Sequence, residues 1–223
     1  MTFKDIQDEV IALRFNSAQR PYVKNWINNR YQMIWAAEDW RFKCNILSTS
    51  PNAVAGQPNL DGLPTDLGTV RELWYRKQGE SMAQKVFAVS PGQFSDMYEN
   101  TTLVGEPEAY TIRNDGLGPQ VWVGPTPAST YQFNLYYDRR FARLSGGGVN
   151  TPGPMEADSD EPLWPVEWHH ILVPAAMSLG LKLSQDPGWA EVQDDFLTQL
   201  QQMRGDLLPD SGGAGLVYHR ELW

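Results

Sequence analysis

At 223 residues and 25.2 kDa the chain is long enough for one sizeable core, or for a core carrying a small insert. Its 41% hydrophobic and 20% charged residues exclude a disordered polymer, and a net charge of −9 argues against a free-standing duplex-DNA binder, which would show a basic face. No run of eighteen apolar residues marks a membrane span, and the charged N-terminal stretch MTFKDIQDEV lacks the apolar core of a signal peptide.

The charge is uneven. Residues 1–43 carry seven Lys/Arg against five Asp/Glu, residues 44–144 eight against ten, and residues 145–223 three against twelve. The acidity therefore belongs to the last third, and a basic patch is confined to Arg139, Arg140 and Arg143. The single cysteine, Cys44, rules out an intramolecular disulfide and reads as a small residue in or near a core.

In chain order, the spacing predicts a first helix over about 3–15. Thr2 and Asp5 form a capping box, and Phe3, Ile6, Val10 and Leu13 make one stripe. A second helix opens at Arg20-Pro21, with Pro suited to the first turn. Its stripe is Val23, Trp26, Ile27, Met33, Ile34 and Ala37. Trp35 and Trp40 lie off that stripe, available to the inserted block or to a subunit interface. Residues 48–69 mix Pro, Gly, Asn, Asp and Ser without a helical period, as in an interfacial or functional excursion.

Strand signals follow at 70–77 and 82–89, flanking the turn candidate QGES, and at 110–113 and 121–123, flanking Asp115-Gly116. Between them Ser90-Pro91 caps a short helix reaching about Tyr98. Tyr131, Phe133, Leu135 and Tyr137 alternate with polar residues, as in a half-buried antiparallel strand. Residues 145–163 are Gly/Pro-rich and acidic and read as a linker. A third helix is predicted from Pro165 with Trp168, Ile171, Leu172, Ala175, Leu179 and Leu183 as its stripe. A fourth follows Asp186-Pro187 with Trp189, Val192, Phe196, Leu200 and Met203, ended by Gly205. The tail after Gly205 has a Gly-rich run but ends apolar, in Leu216, Val217, Tyr218, His219, Leu222 and Trp223. Such an ending suits a segment that docks on another chain or on its own core.

The expected fold is therefore α+β. A split antiparallel helical bundle, residues 1–43 and 164–204, carries an inserted small antiparallel β-domain, residues 44–144. The linker 145–163 returns the chain to helix, and a C-terminal arm, 205–223, closes it.

Little points to chemistry. His169 and His170 sit about 100° apart on a helix, so they do not share one metal and read as helix-surface or interface hydrogen bonders. There is no C-x-x-C, H-E-x-x-H or G-x-S-x-G motif, and Gly146-Gly147-Gly148 lacks the Lys-Ser/Thr of a phosphate loop. Asp158 and Asp160 begin a calcium-loop spacing that Pro162 and Leu163 break. No catalytic, cofactor or metal residue is expected, and an enzyme is not the expected reading. The aromatics Trp74, Tyr75, Trp122, Tyr131, Tyr136 and Tyr137 suit sheet packing and interface contact, or alternatively a carbohydrate- or peptide-binding platform.

Three stretches in this order, IWAAEDWRFK, LPTDLGTVRELWYR and EWHHILVPAAMSLGLKLSQDPGWAEVQDDFLTQLQQM, resemble the head–tail adaptor (connector) proteins of tailed bacteriophages, including the tail tubular protein A-like group. The resemblance implies a structural protein of the virion neck, made in the host cytoplasm and assembled as a ring, commonly of twelve copies. The ring would join the portal to a tail nozzle or tail-tube protein and extend a channel through which double-stranded DNA passes without specific binding. It also implies that a C-terminal segment, here Leu216, Val217, Tyr218, His219, Leu222 and Trp223, reaches the portal. Trp35, Trp40, Trp74, Tyr75, Trp122, Tyr136 and Tyr137 are then the candidates for subunit or tail contacts. The acidity of the last third would keep such a channel from holding DNA, since like charges repel.

Overall fold

The structure, a computed structural model, describes residues 1–47, 51–77, 82–99, 103–114, 118–146 and 148–208. Helices α1 (Phe3–Arg14) and α2 (Arg20–Ala37) open the chain. Strands β1 (Cys44–Leu47), β2 (Asn52–Ala53), β3 (Leu60–Asp61), β4 (Leu67–Arg76) and β5 (Gln84–Ala88) follow, then the short helix α3 (Pro91–Phe94). Next come β6 (Val104–Gly105), β7 (Ala109–Asn114), β8 (Pro119–Gly124), β9 (Thr126–Pro127), β10 (Tyr131–Arg139), β11 (Ala142–Ser145), β12 (Val149–Pro152) and β13 (Glu161–Pro162). Helices α4 (Leu172–Leu183) and α5 (Trp189–Leu207) end the described part. The chain divides into two compact units, Met1–Phe42 with Met155–Trp223, and Lys43–Pro154.

In the helical unit, α4 is central and packs on α1, α2 and α5. Nine of its twelve residues are buried, so it is apolar nearly all round rather than along one stripe. α1 starts at a capping box: Asp5 N–H donates to Thr2 Oγ1 and Thr2 N–H donates to Asp5 Oδ2. Leu13, expected on the buried stripe, is 55% exposed, because only Phe3, Ile6, Gln7 and Val10 of α1 are covered.

The segment opening at Pro165 differs from the predicted third helix. Residues Val166–Ile171 form a 3-10 helix, and the α-helix begins only at Leu172, with Pro174 in its first turn where its missing N–H costs nothing. Three residues per turn before Leu172 rephase Trp168 against the stripe of α4, and Trp168 is only half-buried. Leu183, counted into the stripe, is the last residue of α4 and is 65% exposed. α5 continues past Gly205 to Leu207, capped when Leu208 N–H donates to Arg204 O.

The tightest crossing is where Gly180 of α4 meets α2. A Cβ there would lie 2.5 Å from Trp26 Cζ3 and 2.8 Å from Phe15 Cζ. Only glycine permits that approach.

In the other unit, the strand order is β3-β2-β10-β4-β5-β7-β8, with β1 also paired to β10. β8 returns to the start of this order: Asn59 bridges Trp122, and Val123 N–H donates to Pro58 O at 2.7 Å. The sheet thus curls into a small barrel-like closure, its interior filled by Val70, Leu73, Tyr75, Val86, Tyr110, Val121, Val123, Tyr131, Phe133, Leu135 and Tyr137.

The expected purely antiparallel insert is corrected on one point. β5 pairs β7 in parallel, as β6 does β9. Parallel neighbours need a crossover, and the twenty residues between Ala88 and Ala109, with α3 and the π-turn Ser95–Glu99, provide it. Ser90 caps α3 as expected, accepting from Gln93 N–H. The excursion 48–69 holds β2 and β3, which close the barrel, and the stretch read as a linker contains β12 and β13. The turn candidates QGES and Asp115-Gly116 lie outside the described residues.

Candidate functional site

The candidate contact aromatics separate into two groups. Trp40 is fully buried in the helical unit, with its Nε1–H donating to Ile34 O at 2.7 Å and its ring stacked on Phe42 at 5.7 Å. Trp35 is 6% exposed and packs against Tyr31 and Phe42. These two indoles are core, not contact surface. Tyr75 and Tyr137 are likewise buried inside the barrel unit. The Tyr75 hydroxyl lies within hydrogen-bond reach of Gln84 Oε1 and Glu106 Oε2, at 2.6 and 3.0 Å. Tyr137 donates to Asp66 Oδ1 and accepts from Asn45 Nδ2. Burial, the larger cause, and the Asp66 carboxylate both push the Tyr137 phenol above its usual range.

Trp74, Trp122 and Tyr136 remain half-buried at the surface. Alternation on β4 and β10 explains two of them. With Leu73, Tyr75, Leu135 and Tyr137 pointing into the barrel, Glu72, Trp74, Asn134 and Tyr136 must point out. The register sets Ile46 opposite Tyr136, Tyr136 opposite Glu72, Asn134 opposite Trp74, and Trp74 opposite Lys85. Phe87, two residues beyond Lys85 on β5, shares that face. The result is an outward sheet face with Trp74 and Tyr136 at its middle. Ile46, 55% exposed, and Phe87, 66% exposed, stand at its sides.

Charge on this face is neutralised within the chain. Lys85 Nζ donates to Glu72 Oε1 at 2.6 Å and lies 5.4 Å from the Trp74 ring centre, while Trp74 Nε1–H donates to Glu72 Oε2 at 3.0 Å. These bonds, Lys85 foremost, hold the Glu72 carboxyl below its ordinary range. Arg71 Nε–H donates to Asp138 Oδ1 at 2.7 Å. The indole is thereby fixed before any partner arrives, the arrangement that makes an aromatic an effective contact residue. Trp122 is instead engaged inside its own unit, with the Arg113 guanidinium 4.5 Å over its ring.

The residues weighed for chemistry take structural places. His169, expected at a helix surface, is 1% exposed. Its Nε2 lies 3.0 Å from Trp164 O, and its Nδ1 lies 3.2 Å from the Met1 amine and 2.9 Å from Met1 O. Burial drives its pKa below the usual histidine value. A neutral ring with its proton on Nε2 donates to Trp164 O and accepts from the Met1 amine at Nδ1, while the Nδ1–Met1 O contact is a hydrogen bond only in the tautomer or charge state that protonates Nδ1. His170 is exposed beside Trp168. Asp160 is no calcium ligand in waiting: its Oδ2 accepts from the N–H groups of Glu156 and Ala157. Cys44, expected in or near a core, is exposed on β1.

The basic patch is largely absorbed. Arg139 pairs with Asp66 at 3.4 Å, Arg143 donates to the carbonyls of Pro152 and Pro154, and Arg140 alone of the three is exposed. Among the described residues no three His, Cys, Asp or Glu are grouped to hold a metal ion, and no helix is long and apolar enough to cross a membrane. The C-terminal docking candidates Leu216, Val217, Tyr218, His219, Leu222 and Trp223 lie outside the described residues.

Sequence reasoning missed three elements of this picture. Arg30 and Gln7 are buried polar residues on helices, invisible to a count of apolar positions. The place of Ile46 and Phe87 on one outward face with Trp74 and Tyr136 follows only from strand register. A model of the SU10 adaptor protein family matches residues 1–217 of the chain. No curated protein matches it.

Proposed function

Because the chain belongs to the SU10 adaptor protein family, a family of phage head–tail adaptors, we propose that it forms the ring that joins the portal to the tail and extends the DNA channel. The family match over residues 1–217 carries this reading, since it spans both compact units rather than one module. Membership makes the chain a structural component of the virion neck that contacts other head and tail proteins.

In the proposed ring, each copy meets the next through a heterologous contact repeated about an axis, commonly twelve times. The portal lies on one side and a tail nozzle or tail-tube protein on the other. The face of Ile46, Trp74, Phe87 and Tyr136 suits a protein contact of this kind: it is apolar at its centre, rigid, and already neutralised in charge. The C-terminal segment, ending in Leu222 and Trp223, is the proposed portal-docking arm. Its apolar end after a Gly-rich run suits a segment that orders on binding. DNA passes the ring without specific binding, in keeping with three Lys/Arg against twelve Asp/Glu in residues 145–223.

The test is co-sedimentation with the portal from the same genome, comparing the full chain with a chain ending at Leu208, just past α5. The truncated chain is expected to keep its circular-dichroism spectrum and lose the portal. Retention of portal binding by the folded, truncated chain contradicts the docking arm.

A further inference from the structure

The helical unit contains a buried cation whose hydrogen-bond partners, among the described residues, include no carboxylate. Arg30, on α2, is 4% exposed. Its Nε–H donates to Ala175 O at 3.1 Å, on α4. Its Nη2 donates to Ser178 Oγ at 3.2 Å, also on α4, and to Gln193 Oε1 at 3.3 Å, on α5. Its Nη1 lies 3.8 Å from Met33 Sδ, one turn along α2. The guanidinium carbon stands 5.5 Å from the centre of the Phe196 ring of α5.

Every acceptor among the described residues is neutral, so the attraction that usually offsets burying a charge is not supplied by them. Burial accordingly drives the guanidinium pKa down, away from its usual value. A stability role alone would be served better by a methionine or leucine in the same space. What the guanidinium adds is geometry. It is planar, its donors point in fixed directions, and three acceptors from two other helices converge on it.

We propose that Arg30 is a register key: it fixes how α2, α4 and α5 lie against one another rather than how strongly they cohere. Sliding α4 by one turn, about 5.4 Å, would carry Ala175 O and Ser178 Oγ out of reach and leave a buried cation unsatisfied. Most apolar residues of α4 specify the register less sharply, because α4 is buried nearly all round, and the close approach of Gly180 to Trp26 is the second feature that a slide would disturb. The Ser178 hydroxyl strengthens the key by donating in turn to Ala175 O at 2.9 Å, which ties both acceptors together on α4. A subunit that must present identical surfaces to its neighbours needs one register, and Arg30 supplies it.

The test uses the full chain with Arg30→Met, which keeps the length and removes the charge and the fork. The readouts are the thermal midpoint and the indole N–H spectrum of the nine tryptophans. The expected result is a midpoint within about 4 °C of the parent, the span of about 1 kcal/mol in a chain this size, together with doubled or broadened indole signals. Arg30→Met/Ser178→Ala, which also removes the stranded hydroxyl, is expected to behave the same way. Two results overturn the proposal. One is an unchanged indole spectrum in a stable Arg30→Met chain, since the key would then be dispensable. The other is a midpoint lowered by more than about 10 °C in both variants, or failure of both to fold, since Arg30 would then be a stabilising contact.

Discussion

Among single residues, Gly180 and His169 carry measurable consequences. Gly180 sits where a Cβ would meet the Trp26 ring at 2.5 Å and the Phe15 ring at 2.8 Å. Gly180→Ala gains helix propensity but forces α2 and α4 apart. Over-packing of this kind costs about 1–3 kcal/mol, more than the roughly 1 kcal/mol gained by removing a helical glycine. Urea unfolding of the variant should therefore show a net loss of stability; a gain would mean the crossing is looser than described. His169 makes a pH prediction. Burial lowers its folded-state pKa below 6.5, the value for an exposed ring, against the opposing pull of the Trp164 and Met1 carbonyls; the Met1 amine adds to the lowering and Glu161 opposes it. The folded chain thus binds the proton less readily than the unfolded one. The stability this ring contributes is complete above about pH 6.5 and falls as the pH drops from there through the folded-state value. His169→Gln, measured by urea unfolding between pH 5 and 7.5, should be less stable at the upper end and lose less on acidification. An unchanged slope would remove His169 from the acid response. Neither behaviour can be read from the chain alone: the pattern HHILVPAAM shows a histidine pair, not which member meets the Met1 amine.

At the scale of elements, α1, α2 and α5 were legible because their apolar positions recur at helical spacing, and the capping residues Thr2 and Ser90 were legible because their side chains act within four residues. β4 and β10 were legible because period-two alternation reports a single buried face. The two-residue strands β2 and β3 were not, since two residues cannot show a period and lie among prolines and glycines. The 3-10 stretch before α4 escaped for a related reason: it changes the period in mid-pattern. The outward face of the sheet was half legible. Trp74 and Tyr136 stand out by type, but Tyr75 and Tyr137 look the same in sequence, and only strand register separates them. This face carries its own prediction. Trp74→Ala removes a half-buried, outward-facing aromatic that, among the described residues, donates to Glu72 and lies under Lys85, so the thermal midpoint should stay within about 4 °C of the parent. If the face is an assembly contact, sedimentation should show weakened self-association or weakened binding to the neck partners. A variant that assembles at full strength would place the contact elsewhere.

At the scale of the molecule, residues from the two ends of the chain form one unit and the middle forms another, and the adaptor family match spans both. Resemblance in three stretches of sequence was enough to reach the family, and the short strands allowed either an open sheet or a barrel-like insert, while the contacts that close the barrel, the parallel strand pair and the buried Arg30 were not accessible, because each depends on residues brought together by folding. A ring-forming subunit of the phage neck, as proposed, must reach an oligomeric mass. The most direct measurement is the mass of the purified protein by light scattering, alone and mixed with the portal from its own genome. The expected result is a closed oligomer, about twelve copies of the 25.2 kDa chain, either alone or on the portal. A species that stays at the mass of one chain and ignores the portal would contradict it.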